Sequence, residues 1–165
     1  MPVGDIRPIK AGLREQYKRL RRNMPREIQD AYDETIARRV AALWQYKRCR
    51  MLLTYVSTAI EVDTRRLISH ALGQGKAVVV PRCIDGTRII ERALAHGKQV
   101  AVPRCVPGTR DMEFYLIRGL DELEPGTFGV LEPRPDPARL VKDFSSGLCL
   151  IPALCYDWHG HRLGY

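Results

Sequence analysis

Long apolar runs are missing from this chain: none approaches the roughly 20 residues that a membrane-spanning helix requires, which leaves an integral membrane protein without support. The basic N-terminus, MPVGDIRPIKAGLREQYKRLRR, does not lead into the apolar segment of a secretory signal. Asp5 and Glu15 also break the acid-poor pattern of a mitochondrial transit peptide, so the cytoplasm is the expected compartment. Closely spaced cysteines are lacking too. Cys49, Cys83, Cys105, Cys149 and Cys155 are odd in number and contain no C-x-x-C pair. That excludes a disulfide framework and a zinc site, and the thiols are expected to be reduced and largely buried.

What remains is an ordinary globular balance, 45% apolar and 28% charged over 165 residues, enough for one domain with its own core. The net charge of +8 is uneven, since residues 1–50 carry 13 Lys/Arg against 6 Asp/Glu. A basic segment of this kind suits nucleic acid, an anionic lipid surface or a small polyanion, or is simply a solvated helical face.

From Ile9 to about Arg22, Leu13, Tyr17, Leu20 and Met24 recur at helical spacing and predict an apolar stripe. Lys10, Arg14 and Lys18 recur every four residues on another face. A second helix is expected from Pro25, a favoured first-turn residue, to about Trp44, with Ile28, Tyr32, Ile36, Val40 and Leu43 as its apolar positions. Short apolar runs follow: Met51 to Val56, Ala77 to Val80, Met112 to Ile117 and Leu148 to Ile151. Between the first two, Asp63 or Thr64 is positioned to cap a helix that Gly73 and Gly75 end. The stretch EPRPDPARL, Glu132 to Leu140, is expected to be a loop. Helices alternating with short, nearly continuous apolar strands predict a single α/β domain with a largely parallel sheet flanked by helices.

One feature interrupts this order. Residues 67–88 (LISHALGQGKAVVVPRCIDGTR) and 89–110 (IIERALAHGKQVAVPRCVPGTR) match at 13 of 22 positions without a gap. Two copies are too few for a solenoid, so the repeat reads as a local duplication of one helix–strand unit inside a single domain. The added unit either contributes another strand to the sheet or stays outside it; this region is expected to be the least regular.

Three elements in order carry a resemblance: Lys10-Ala-Gly-Leu-Arg14 at a helix start, Tyr55-Val-Ser-Thr-Ala-Ile-Glu61-Val-Asp-Thr64 from a strand end into a helix, and Ile151-Pro-Ala-Leu-Cys-Tyr-Asp157 followed by His159-Gly-His-Arg162-Leu-Gly-Tyr165. With Val-Pro-Arg before MEFY and the loop from Gly129 to Pro133, they resemble the 5-formyltetrahydrofolate cyclo-ligase family, also called 5,10-methenyltetrahydrofolate synthetases. The resemblance implies an α/β fold similar to the sugar-phosphate isomerase and CoA-transferase group. It implies cyclisation of 5-formyltetrahydrofolate to 5,10-methenyltetrahydrofolate, driven by Mg-ATP and releasing ADP and phosphate.

By the same resemblance, Lys10, Ala11, Gly12, Leu13 and Arg14 bind ATP, as do Arg162, Leu163, Gly164 and Tyr165, which match the start of the family's phosphate loop. Lys10 and Arg14 lie one helical turn apart, so both cations can reach one polyphosphate. The positions matching Val56, Glu61 and Tyr165 contact the folate, and a carboxylate at Glu61 suits the pterin's row of N–H donors; a surface or capping glutamate is the competing reading. No catalytic residue is assigned. The Gly-rich continuation of the loop and the magnesium carboxylate at its end are expected beyond Tyr165, so the 165-residue chain, an incomplete domain on this view, is expected to be inactive alone. His159 and His161 flank Gly160, but a turn explains them better than a metal site. Arg82 and Arg104 are repeat equivalents at strand ends, and only the copy in the native slot is placed to face an anionic substrate.

The partners implied are the two small-molecule substrates, acting on a monomer, with no nucleic acid and no membrane. A non-catalytic folate- or nucleotide-binding paralogue is the alternative. An RNA-binding module built on residues 1–50 ranks below both, because the aromatic–glycine signatures of common RNA modules are lacking.

Overall fold

The structure is a computed structural model that describes residues 5–80 and 87–164. Helices α1 (Arg7–Arg22), α2 (Arg26–Ala42) and α3 (Trp44–Arg48) precede strand β1 (Met51–Leu53). There follow α4 (Arg65–Gly73), β2 (Ala77–Val79), α5 (Thr87–Ala95), β3 (Val100–Cys105), β4 (Met112–Ile117), β5 (Leu123–Pro125), β6 (Leu131–Pro133), β7 (Gly147–Cys149), β8 (Cys155–Tyr156) and β9 (Arg162–Leu163).

The main sheet has the order β4-β3-β2-β1-β7. β1 pairs in parallel with both β2 and β7, and β2 pairs in parallel with β3. β4 runs antiparallel to β3. Chain length explains the difference. The helix between β2 and β3 supplies the crossover that a parallel pair needs, whereas only six residues join β3 to β4, enough for a reversal at Gly108 (φ +76°) but not for a crossover. The largely parallel α/β sheet is thus the one the sequence predicts.

Both repeat copies enter the sheet, each as a helix followed by a strand. Val78 pairs with Val100 and Val79 with Ala101. Each pair consists of residues 22 apart, so the strands lie side by side in the register of the repeat itself. The irregularity expected here is absent from the described residues. Residues 81–86 of the first copy lie outside the described residues; elsewhere parallel pairing repeats without change from strand to strand, so a duplicated unit finds the same neighbour geometry one position further out. Buried Leu52, Val78, Val100, Val102 and Ile117 form the sheet's share of the core, packed with Ile68 and Ala71 from α4 and Ile90 and Ala93 from α5.

Four expectations are corrected. The strand expected at Met51 to Val56 ends at Leu53; Thr54 N–H still donates to Val79 O (2.9 Å), but Tyr55 O turns to accept the Thr64 hydroxyl (2.6 Å). Glu132 and Pro133 belong to β6, paired with β5, so only the rest of that stretch is loop. Cys149 is exposed on the edge strand β7, against the expectation of largely buried thiols; Cys83 lies outside the described residues. Most consequentially, α1 covers its apolar stripe only in part. Leu13 and Leu20 are 40% and 55% exposed, whereas Tyr17 and Met24 share a half-buried face with Arg14, Lys18 and Arg21.

Candidate functional site

From β1 the chain works outward through β2 and β3 to β4, then returns to place β7 on the other side of β1. The strand order therefore reverses between β1 and β7. In an open α/β sheet the crevice beyond the carboxyl ends of strands at such a reversal is the ordinary ligand site. Two loops emerge there, residues 54–64 after β1 and 150–154 after β7.

Hydrogen bonds set the first loop. Ser57 Oγ donates to Asp63 Oδ1 (3.1 Å), and the same oxygen accepts from Arg65 N–H (2.9 Å), so Asp63 rather than Thr64 supplies the side-chain cap of α4. Glu61 Oε2 accepts from Thr58 N–H (2.8 Å), closing the 58–61 turn. Glu61 thus stands at the rim beyond β1, where a ligand-facing carboxylate was expected, and it also holds its own turn. Val56 is 4% exposed and its side chain lies in the core, which leaves its backbone as the part nearer the rim.

Helix α1 is latched across the reversal by Arg21. Its guanidinium donates to Ile60 O (3.0 Å) in the first loop and to Ala153 O (2.8 Å) and Leu154 O (2.9 Å) in the second. One planar, multi-donor cation joins both loops. Gln29 Nε2 adds a bond to Ala59 O (3.1 Å). Sequence reasoning missed Arg21. The available signal was its spacing, seven residues after Arg14 and hence on the same helical face.

Seven residues nearer the N-terminus, Arg14 Nε donates to Gly164 O (3.0 Å). Arg162 Nη1 donates to Pro152 O (2.9 Å), and Leu154 N–H to Leu163 O (2.8 Å). The fold therefore brings Arg14 against Gly164, next in the chain to Arg162 and Leu163, while Lys10, Ala11, Gly12 and Leu13 are exposed on α1. Tyr165 lies outside the described residues.

Between α1, α2 and the first loop lies a crevice of about 190 Å³, lined among others by Arg21, Tyr32, Asp33, Ile60 and Glu61. Burial raises the Asp33 carboxyl above its ordinary range, the nearby charges of Asp63 and Asp30 add to that, and an Asp63 N–H bond opposes it. Asp33 is a second acidic group that the sequence did not single out.

The histidines occupy a turn, as expected. Asp157 Oδ1 accepts from His159 N–H and His161 N–H (2.9 Å each), and Oδ2 pairs with His161 Nδ1 (2.8 Å). The His161 side-chain bond, followed by these backbone bonds, holds the Asp157 carboxyl below its usual value. Arg104 is occupied elsewhere, donating to Glu124 Oε1 (3.0 Å) and Pro133 O (2.8 Å) on the β5–β6 pair. Arg82 lies outside the described residues. Among those residues there is no group of three or more His, Cys, Asp or Glu able to hold a metal ion, and no helix long and apolar enough to cross a membrane.

Comparison with known proteins agrees with this fold. The solution NMR structure of Aquifex aeolicus 5,10-methenyltetrahydrofolate synthetase superposes with a TM-score of 0.59 at 20% identity, covering 95% of this chain and 67% of that one. A Schizosaccharomyces pombe protein described as a probable 5-formyltetrahydrofolate cyclo-ligase is 26% identical over 140 residues, 84% of this chain. The chain spans 58% of the length of that relative. The sequence model of the 5-formyltetrahydrofolate cyclo-ligase family matches residues 7–87 and again 82–165, its two segments meeting inside the repeat. With nearly the whole chain matched, this protein belongs to the 5-formyltetrahydrofolate cyclo-ligase family.

Proposed function

We propose that this chain carries the ATP-dependent cyclisation of 5-formyltetrahydrofolate to 5,10-methenyltetrahydrofolate, acting in the cytoplasm as a monomer on two small-molecule substrates. The observation that supports this reading most is the Arg14–Gly164 bond, which sets the two segments expected to bind ATP side by side next to the loops at the strand reversal. The donor set suits a polyphosphate: Lys10 and Arg14 provide charge one turn apart, and a guanidinium can bind phosphate oxygens in pairs.

In this scheme the formyl oxygen attacks the γ-phosphorus of ATP, and ADP departs with the electrons of the broken P–O bond. The folate N10 then attacks the activated formyl carbon, phosphate leaves, and N10 loses its proton as the ring closes. Lys10 and Arg14 neutralise charge on the transferred group, where phosphoryl transfer depends most on positioning. Glu61 orients the pterin through its N–H donors, and Arg21 keeps α1 and both loops at a fixed separation. The described residues do not compose a magnesium site, and no step is assigned to the metal.

The test follows methenyl-folate absorbance with 5-formyltetrahydrofolate, ATP and magnesium. It uses this chain, the same chain extended by the family's Gly-rich continuation, and Arg14→Gln and Glu61→Gln variants of whichever turns over. Expected are a raised KM for ATP in Arg14→Gln and a raised KM for the folate in Glu61→Gln. Tight binding of both substrates without turnover in either form would favour the binding paralogue. Neither binding nor turnover by the folded chains would overturn the proposal.

A further inference from the structure

The duplication leaves a second cavity, remote in sequence from the motifs above. Because β2 and β3 pair in the repeat's own register, the second copy is the first moved outward by one strand. In the first copy, the Tyr46 ring fills the space beside two repeat positions. Its hydroxyl bonds His70 Nδ1 (2.8 Å) with the rings stacked at 5.7 Å, and Lys76 Nζ lies 5.3 Å from its centroid. The equivalents 22 residues on are Arg92 and Lys98. Both line a cavity of about 370 Å³ between α4 and α5. Among the described residues the one ring in its lining is His96, whose Nδ1 is bonded to Arg92 O (2.7 Å), and no phenol takes the place that Tyr46 holds in the first copy.

Its chemistry is one-sided. Leu72, Ile89 and Ala93 form an apolar floor, while Arg88, Arg92 and Lys98 supply cations, and among the described residues no carboxylate contributes to the lining. Among the described residues none of these three cations takes part in an ion pair. The change from His70 to Arg92 replaces the hydroxyl's partner with a permanent cation. Ile89, the equivalent of buried Leu67, is left only half-covered.

We infer that this cavity is a binding site for a small aromatic anion, whose ring lies on Leu72 and Ile89 and whose phosphate or carboxylate meets Arg92 and Lys98. Its volume falls within the usual range for small-molecule sites, about 300 to 1,000 Å³. Lys98 is half-buried beside the apolar floor, where its attraction for an anion is less screened than in open water, and the exposed Arg92 supplies a second charge.

The experiment titrates the ¹⁵N-labelled full chain with phenyl phosphate and follows amide shifts. Saturable shifts are expected in residues 69–73 and 88–98. Affinity should fall at least tenfold in the double variant Arg92→Gln, Lys98→Gln, whose side chains are not core residues, and in Leu72→Phe, which fills the ring position. Inorganic phosphate and benzyl alcohol, each carrying half of the recognised chemistry, should each bind at least tenfold more weakly. Shifts confined to α1 and the β8–β9 region, or undiminished affinity in the double variant with its other amide shifts unchanged, would overturn the inference. So would an absence of saturation.

Discussion

Replacing Arg21 by Met tests how α1 is held. The substitution preserves an unbranched apolar stem and removes bonds to Ile60 O, Ala153 O and Leu154 O. Ala153 and Leu154 are buried, so their carbonyls lose a partner in a place where water substitutes poorly. At about 1 kcal/mol for each bond, the value of an ordinary hydrogen bond and suited to a guanidinium still partly in water, losing two or three of them costs about 2–3 kcal/mol. Helix α1 buries no side chain fully, so this loss should appear as local opening of the helix and not as global unfolding. At 1.4 kcal/mol per decade, hydrogen exchange from Lys10 to Arg22 should accelerate about 30- to 150-fold while amides of β1 and β2 keep their protection. Arg21→Lys, which retains charge but not the planar fork, should fall between. Exchange in α1 within about threefold of the parent would refute the latch. It would mean that Leu13, Tyr17, Leu20 and Met24 hold the helix after all, as their spacing suggests.

The repeat provides its own control for a second prediction. Lys76 is 8% exposed and donates to Cys49 O (2.7 Å) at the end of α3, so Lys76→Met should cost about 1–3 kcal/mol in denaturant unfolding. Lys98→Met, at the equivalent position without such a carbonyl bond among the described residues, should change stability by less than about 0.5 kcal/mol. Gly75 (φ +76°) and Gly97 (φ +66°) adopt left-handed backbone at matching turns, with open space where a Cβ would stand. Alanine at either should cost about 1–2 kcal/mol from backbone strain alone, and unequal costs in thermal melts would show that the two copies do not fold alike. Asp33 holds its proton above the ordinary aspartate value of 3.8, so the native state binds more protons than the unfolded one between that value and its own. Stability from this group is therefore lost as pH rises through the folded value, and the loss persists at neutral pH. Asp33→Asn should melt higher than the parent at pH 7, with the gap closing below pH 3.8; an unchanged gap across that range would reject the assignment.

Much of the architecture was legible because it depends on local pattern. Alternating helical stripes and short apolar strands predicted a parallel α/β sheet, and the bounds of β4 match the apolar run from Met112 to Ile117. The motif segments near Lys10, Glu61 and Arg162 were visible for a different reason, since each is a contiguous run that resembles the family's motifs. The capping carboxylate at Asp63 and the turn around Asp157 were also within reach, because Asp, Gly and His at those spacings satisfy nearby backbone N–H groups.

The sequence by itself determined the sheet, the duplicated unit and the motif segments that mark the family. Tertiary structure decided which face of α1 meets the body, that both copies join the sheet, and that Arg14 and Gly164 become neighbours across 150 residues. Amphipathic spacing identifies a stripe but says nothing about competition from a distant carbonyl. Arg21 lies 132 residues from Ala153, and a bond at that separation leaves no periodic trace. The cavity between α4 and α5 is likewise invisible in the alignment of the copies, because identical positions meet Tyr46 in one place and Leu72 in the other. What a side chain contributes there is set by its neighbour in space.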